Sequence, residues 1–429
     1  MDRNDRSIIS FAMVSHAMVH TYELSIPILM LLWASEFSIS IGLLAVVVST
    51  GYAMFGLGAL PTGVLADIYG SRLLIVCCLV GMGISFLVLS IAPTLPVLVF
   101  GLVCWGIAAS IYHPAGLSLI STGVVDRGTA FAYHGMAGNA GIALGPLATA
   151  LLLLVVDWRL VAALLSIPAL LAALYALQVQ FDETAGTKDR QGESDSSDAT
   201  AASSLSELWT ESKALFATGF SIVFIIVIFN GLFYRGTLTL LPEILTTMLE
   251  PVVGDLQLFE PDSPMAEEFQ PSRFFYTGLL MVGIGGQYAG GKLTERVATE
   301  RALMIVFASL AVTALVFIPA ARGSLVTLAL VGTVLGFLLF MIQPLYQATI
   351  AQYSPANARG LSYGFTYVGS FGVGALGATI TGIVYEGFGE LAMFVTLAGF
   401  ALLASLLSYS LLTGSYAEAN STAVESTDD

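Results

Sequence analysis

This sequence is short of charge. Of its 429 residues only 10% are Asp, Glu, Lys or Arg, and 56% are hydrophobic. A soluble chain carries roughly 25% charged residues, so a water-soluble fold is excluded. Lysine is scarcest, confined to Lys188, Lys213 and Lys292. Cysteine occurs only as Cys77, Cys78 and Cys104, each inside an apolar run, which excludes a disulfide framework. There is no Gly-x-x-x-x-Gly-Lys-Ser/Thr phosphate loop, since Leu293 follows the one Gly-Lys pair, so an ATP-driven pump is not expected. There is also no His-Glu-x-x-His or comparable metal pair. His16 and His20 are the only histidines four apart, and neither an enzyme, a metal nor a cofactor is expected.

What the chain does have is long apolar runs. They continue for about 20 residues or more, the length a helix needs to cross hydrocarbon. Transmembrane barrels show short alternating segments instead. A helix satisfies its own backbone groups, so an all-α membrane protein is expected. Twelve spans read out, at 8–32, 40–66, 73–92, 95–120, 129–156, 159–181, 214–246, 273–291, 301–320, 324–351, 361–385 and 391–412. After the sixth, Asp182 to Ser204 is rich in Ser and Asp and nearly free of large apolar residues, which reads as a flexible linker. The expected domains are a six-helix bundle at 1–181, a cytoplasmic linker at 182–213, a second six-helix bundle at 214–412 and an acidic tail at 413–429. MDRNDRS leads into a long first span studded with polar residues and followed by no small-residue cleavage site, so that span is read as a retained helix.

The basic residues set the orientation. With the N-terminus in the cytoplasm, the inner segments hold Arg3, Arg6, Arg72, Arg127, Lys188, Arg190, Lys213, Lys292, Arg296, Arg301 and Arg359. The outer segments hold only Arg159, Arg273 and Arg322. A multi-pass protein of the plasma membrane is expected, monomeric, with both termini cytoplasmic, surrounded by lipid and with no nucleic-acid partner. Thirty acidic residues against fifteen basic ones give a net charge of −15, which fits a high-salt interior such as that of a halophile.

The halves are pseudo-symmetric. Gly106 precedes Pro114 by eight positions, as Gly336 precedes Pro344. The pair Arg127-Gly128 matches Arg359-Gly360, and Ala143-Leu144-Gly145 matches Ala375-Leu376-Gly377. GVLAD at Gly63 to Asp67 is echoed by GKLTE at Gly291 to Glu295. Two repeated bundles with a central linker suggest a transporter with its site at their interface.

GVLADIYGSR, Gly63 to Arg72, resembles the loop between spans 2 and 3 of the major facilitator superfamily. Gly63 and Gly70 permit close packing and a tight turn. Asp67 can accept hydrogen bonds at a helix N-terminus. The resemblance implies that the helix is span 11 and that Asp67 and Arg72 latch the cytoplasmic side. SHAMVH near the start, YHPAG at Tyr112 to Gly116, Arg127 and GNAGIALGPL at Gly138 to Leu147 most resemble the fosmidomycin-resistance-like exporter branch. In the last stretch Gly138, Gly141 and Gly145 form a side-chain-free stripe for a neighbouring helix, and Pro146 loosens its own helix. Three departures bear on direction and coupling. Leu102 stands where exporters often carry an Arg in span 4, Leu147-Ala148-Thr149 follows Gly-Pro where exporter motifs usually have further glycines, and Val19-His20 stands where the branch usually has Asn-Asp. A gating group is expected at Gly63, Asp67, Gly70, Arg72, Arg127, His134, Gly138, Gly141, Gly145, Pro146, Gly291, Glu295 and Arg359.

All four histidines lie inside spans, and His16, His20 and Glu23 share one helical face within an arc of roughly 60°. Each ionisable group costs on the order of 3 kcal/mol at the centre of a bilayer, so that face turns to the protein interior. Setting Pro27 against Pro242 across the repeat places Arg235, the only basic residue within a span, opposite His20. An Arg there suits the Glu23 carboxylate or an anionic substrate. His113 has Gln343 as its repeat mate, with Tyr346 on the same side. The resemblance implies that spans 1, 4, 7 and 10 line the cavity. The expected substrate or proton site is His16, His20, Glu23, His113, Arg235, Gln343 and Tyr346. The expected function is secondary active transport of a small solute by alternating access, as a proton-coupled antiporter exporting a drug-like or small organic compound. The alternative is an uptake symporter or facilitator for a small organic anion.

Overall fold

A computed structural model of the chain describes residues 2–187, 205–217, 219–253, 259, 263–354 and 359–414. Among them the ordered elements are all helical. The first stretch holds α1 (Arg3–Glu36), α2 (Ile41–Leu57), α3 (Ala59–Tyr69), α4 (Ser71–Ser90), α5 (Leu95–Ser110), α6 (Tyr112–Gly123), α7 (Arg127–Leu152) and α8 (Trp158–Gln178). There follow α9 (Leu205–Phe216), α10 (Phe220–Val253), α11 (Pro264–Glu268), α12 (Pro271–Thr294), α13 (Thr299–Ala321), α14 (Leu325–Tyr353), α15 (Arg359–Tyr367) and α16 (Leu376–Thr413). A π turn (Val368–Gly372) and a 3₁₀ turn (Val373–Ala375) join the last two.

Short polar side chains start the helices where the apolar runs begin. Ser40, Asp126, Asp157 and Ser324 each accept a backbone N–H of the first turn that follows. Among the described residues, ten stretches are long and apolar enough to cross a membrane. α12 is a further helix of 24 residues, and the stretch Leu361–Thr413 carries a non-helical residue, Gly389, at φ +81° and ψ 179°. Only glycine adopts that backbone freely, and it divides the stretch where the sequence places a loop.

The helices pack in corresponding pairs. α1 lies on α7 as α10 lies on α16, α2 on α5 as α12 on α14, α4 on α8 as α13 on α16, and α4 on α5 as α13 on α14. The repeat in sequence is therefore a repeat in contact. Gly145 and its mate Gly377 do the same work: a Cβ on Gly145 would meet the backbone of Thr21 in α1, and one on Gly377 the backbone of Leu232 in α10. Across the middle of the chain, α1 meets α10, α2 meets α16, α7 meets α12, and α3 meets α15.

The close approach of α1 and α7 depends on the glycine stripe. A Cβ on Gly138 would enter the His16 ring, and one on Gly141 the carbonyl of Ala17. The Ala17 carbonyl is backbone and cannot swing away, so Gly141→Ala is expected to push α1 outward at a cost of about 1–3 kcal/mol. Thermal unfolding in detergent should fall accordingly, and an unchanged midpoint would contradict this packing.

The start of the expected linker is built into the fold. Glu183 accepts the N–H groups of Ser71 at 2.8 Å and Arg72 at 3.2 Å, capping α4, and Asp182 exchanges hydrogen bonds with the Asn4 side chain. The rest of that linker, 188–204, lies outside the described residues, as does the tail beyond 414.

Candidate functional site

Glu23 sits at mid-helix in α1 with no exposed surface. Its Oε1 accepts from Arg235 of α10 at 2.5 Å, and its Oε2 faces His20 Nδ1 at 2.6 Å. Arg235 is itself only 1% exposed. Its guanidinium lies 3.9 Å from the centroid of Tyr52, 5.0 Å from that of Phe371 and 5.4 Å from that of Tyr234. Aromatic faces around a desolvated cation are attractive and shield it from apolar surroundings. Tyr52 also donates its hydroxyl to the Glu23 carbonyl at 2.9 Å, tying α2 to the same turn of α1.

The chain of polar contacts continues toward the N-terminus of α1. His20 Nε2 meets His16 Nε2 at 3.1 Å, and His16 Nδ1 meets the backbone carbonyl of His134 at 2.7 Å. Spacing of three and four residues puts these groups on successive turns of one face. The His134 ring stacks on His16 at 3.8 Å, Tyr112 stacks on it at 5.3 Å, and His113 sets its edge against both His16 and His20. The glycine stripe makes room for this stack, since Gly138 lies directly against the His16 ring. His113 Nδ1, His134 Nε2 and Arg235 Nε are buried without a hydrogen-bond partner. They are spare polar groups facing the interior, free for a ligand or water.

The structure thus brings together His16, His20, Glu23, His113, His134 and Arg235, from α1, α6, α7 and α10. Tyr346 is buried at 8% exposure on α14. Gln343 accepts a hydrogen bond from Gln287 of α12 at 2.9 Å, within its own half. Of the expected gating group, Gly70 caps α3 at φ +83°, Arg72 donates to the Ala176 carbonyl at 2.6 Å and 3.1 Å, and Arg127 opens α7. Pro146 lies inside α7, Gly291 lies in the last turn of α12, and exposed Glu295 pairs with Lys292 at 3.1 Å. Gly63 and Asp67 lie on α3 and Arg359 opens α15; the side chains of Asp67 and Arg359 lie outside the described structure.

Sequence reasoning missed Tyr52, Tyr234 and Phe371. Tyr52 and Phe371 belong to spans 2 and 11, outside the set of spans 1, 4, 7 and 10 that the resemblance implies for the cavity. Phe371 reaches Arg235 from the π turn Val368–Gly372, a backbone irregularity with no signature in residue order and one common at functional sites. Tyr112 was visible in YHPAG, but its stacking on His16 needed the packing of α6 on α1.

Apolar helices that enclose a charged pair joined between elements more than 200 positions apart make the architecture of a membrane transporter. The chain belongs to the Major Facilitator Superfamily, whose family profile matches residues 8–377. By fold it is similar to a bacterial homologue of the human lysosomal transporter Spinster in an inward-facing, unoccupied conformation, with a TM-score of 0.72 at 15% identity over 96% of this chain and 98% of that one. It is also similar to the nucleoside transporter NupG, with a TM-score of 0.70 at 11% identity over 96% of this chain and all of that one (100%). A segment of 116 residues, 26% of this chain, is 34% identical to the puromycin resistance protein pur8 of Streptomyces alboniger and spans 23% of that relative's length. The protein is a multi-pass membrane transporter and not an enzyme.

Proposed function

We propose that the chain is a secondary active transporter that exports a small organic solute by alternating access, driven by protons. The observation that carries this reading is the buried Glu23–Arg235 pair. It joins α1 to α10, the first helix of each repeat, so any motion that parts the repeats must part the pair. An unpartnered charge left in the interior costs about 3–5 kcal/mol. Protonation relieves that cost at Glu23, and an anionic group on the solute relieves it at Arg235. Breaking the pair and protonating Glu23 are thereby one event.

On this reading the spans number twelve. The ten apolar stretches, α12 and the division at Gly389 support that count, and the paired packing supports two six-helix bundles. Both termini lie in the cytoplasm, the transporter works as a monomer in the plasma membrane, and the acidic surface belongs to a halophile. The short similarity to a puromycin resistance protein and the motifs resembling the fosmidomycin-resistance-like branch favour export. One observation favours a second reading, uptake of a small organic anion: Arg235 has a buried Nε still unpartnered. Membrane vesicles with and without an imposed pH gradient separate the two. Export predicts solute movement against the proton flow, and anion uptake predicts movement with it. Movement indifferent to the gradient would sink proton coupling in both.

Asp67 belongs to the gate on this reading, since it lies on α3, which packs against α15 across the two repeats. Asp67→Asn is expected to slow transport several-fold while solute affinity in detergent stays within a few-fold. Loss of binding would make Asp67 a ligand instead.

A further inference from the structure

The four histidines of the chain meet at one place, and the hydrogen bonds around two of them fix how many protons are present. A backbone carbonyl only accepts, so the contact from His16 Nδ1 to the His134 carbonyl puts a hydrogen on Nδ1. An ionised carboxylate also only accepts, so His20 Nδ1, at 2.6 Å from Glu23 Oε2, carries a hydrogen too. A neutral imidazole has one N–H. With both spent at Nδ1, the two Nε2 atoms would face each other lone pair to lone pair at 3.1 Å. That is a hydrogen-bond separation, and a hydrogen bond there requires one proton more.

The count does not depend on where that proton rests. If it sits on Glu23 Oε2, His20 Nδ1 becomes the acceptor and His20 Nε2–H donates to His16. The total is again one proton above two neutral imidazoles and a carboxylate. We propose that His16, His20 and Glu23 act as a single relay that holds one transported proton in this conformation, shared between the imidazole pair and the carboxylate by a tautomer shift. This rests on the proton-coupled reading above and names the site that carries the proton. Arg235 on Glu23 Oε1 draws the proton toward the histidines, and parting of that pair lets it pass to the carboxylate.

The groups facing the relay set its surroundings. From α6 come Tyr112 and His113, from α7 His134, from α2 Tyr52 and from α10 Arg235. Glu23 is the one acid of the relay itself. A divalent metal ion is the competing occupant, because His113 brings a third imidazole nitrogen within 4.8 Å of the other two. Such an ion would bring two positive charges beside Arg235 where a proton brings one, and the buried setting offers one carboxylate for balance. A proton is therefore the smaller burden.

Four histidines make the test direct. The full chain, labelled with ¹⁵N only at histidine and held in lipid nanodiscs, is titrated without solute or pH gradient. The expected result is two Nε2 signals that move together in one single-proton step, with His16 Nδ1 remaining protonated through it. His134→Gln keeps the backbone carbonyl and should keep the joint step. His16→Gln should abolish it. Two bare Nε2 signals at every pH, or two independent steps, would overturn the relay. A joint signal removed by a chelator, with one metal ion per chain by elemental analysis, would replace the proton with a metal. Loss of gradient-driven transport alone would strike the functional reading and leave the relay standing.

Discussion

Glu23→Gln is expected to exchange labelled solute across a proteoliposome membrane at a rate near the wild type, while accumulation against a concentration gradient disappears. The amide has the shape of the acid and its oxygen still accepts from Arg235, whose charge stays over the faces of Tyr52, Tyr234 and Phe371, so the helices stay together and the solute site stays open. What it lacks is a charge to lose and regain. The free energy of a pH gradient enters only through a group that binds a proton on one side and releases it on the other, and a variant that cannot titrate equilibrates the solute without concentrating it. Glu23→Gln vesicles that still accumulate solute at the wild-type level would transfer the coupling role to another group, with His20 or His113 next in line.

Arg235→Ala is expected to do more damage than Glu23→Gln. It removes the cation and leaves Glu23, with no exposed surface, as an uncompensated buried acid. Removing one partner of such a pair typically costs about 3–5 kcal/mol, and the void beside Tyr52, Tyr234 and Phe371 adds to it. Thermal unfolding should drop steeply, and transport should be lost in both its exchange and its uphill mode. The double variant Glu23→Gln/Arg235→Ala should recover much of the stability, because the stranded charge is gone. A double variant no more stable than Arg235→Ala would mean that the loss came from packing around the guanidinium, and that the two side chains are energetically independent.

The sequence carried the helices well, because a bilayer leaves few choices: a long apolar run becomes a helix, and polar residues mark its ends. α4, α13 and α14 begin and end within a few residues of the expected spans, with Gly70, Ala298 and Ser324 just before their first residues. The exception, α1, runs five residues further toward the N-terminus than expected, since MDRNDRS caps and continues it. Glu183 was read as linker by composition, yet it caps α4; one carboxylate at the right place outweighs the polar character of its neighbours.

The site was legible in part. The shared face of His16, His20 and Glu23 follows from helical spacing alone, and the proximity of Arg235 followed from aligning the repeats on proline. The hydrogen-bonded order within that face did not, because ring orientation depends on the His134 carbonyl and on the space left by Gly138. Tyr52 and Phe371 were hidden for a different reason. They come from spans that pack side by side between the repeats, and their role is to shield Arg235, which leaves no charge or motif in the sequence.

On the proposed function solute movement and proton movement pass through one charge pair, and proton flux reports on that pair. Proteoliposomes loaded with a pH indicator are given a solute gradient and no pH gradient. Wild-type protein is predicted to move protons whenever solute moves, in fixed proportion and in the opposite direction. Glu23→Gln is predicted to move solute with no proton signal. Equal proton flux from Glu23→Gln and wild type, or none from wild type while solute crosses, would contradict the account.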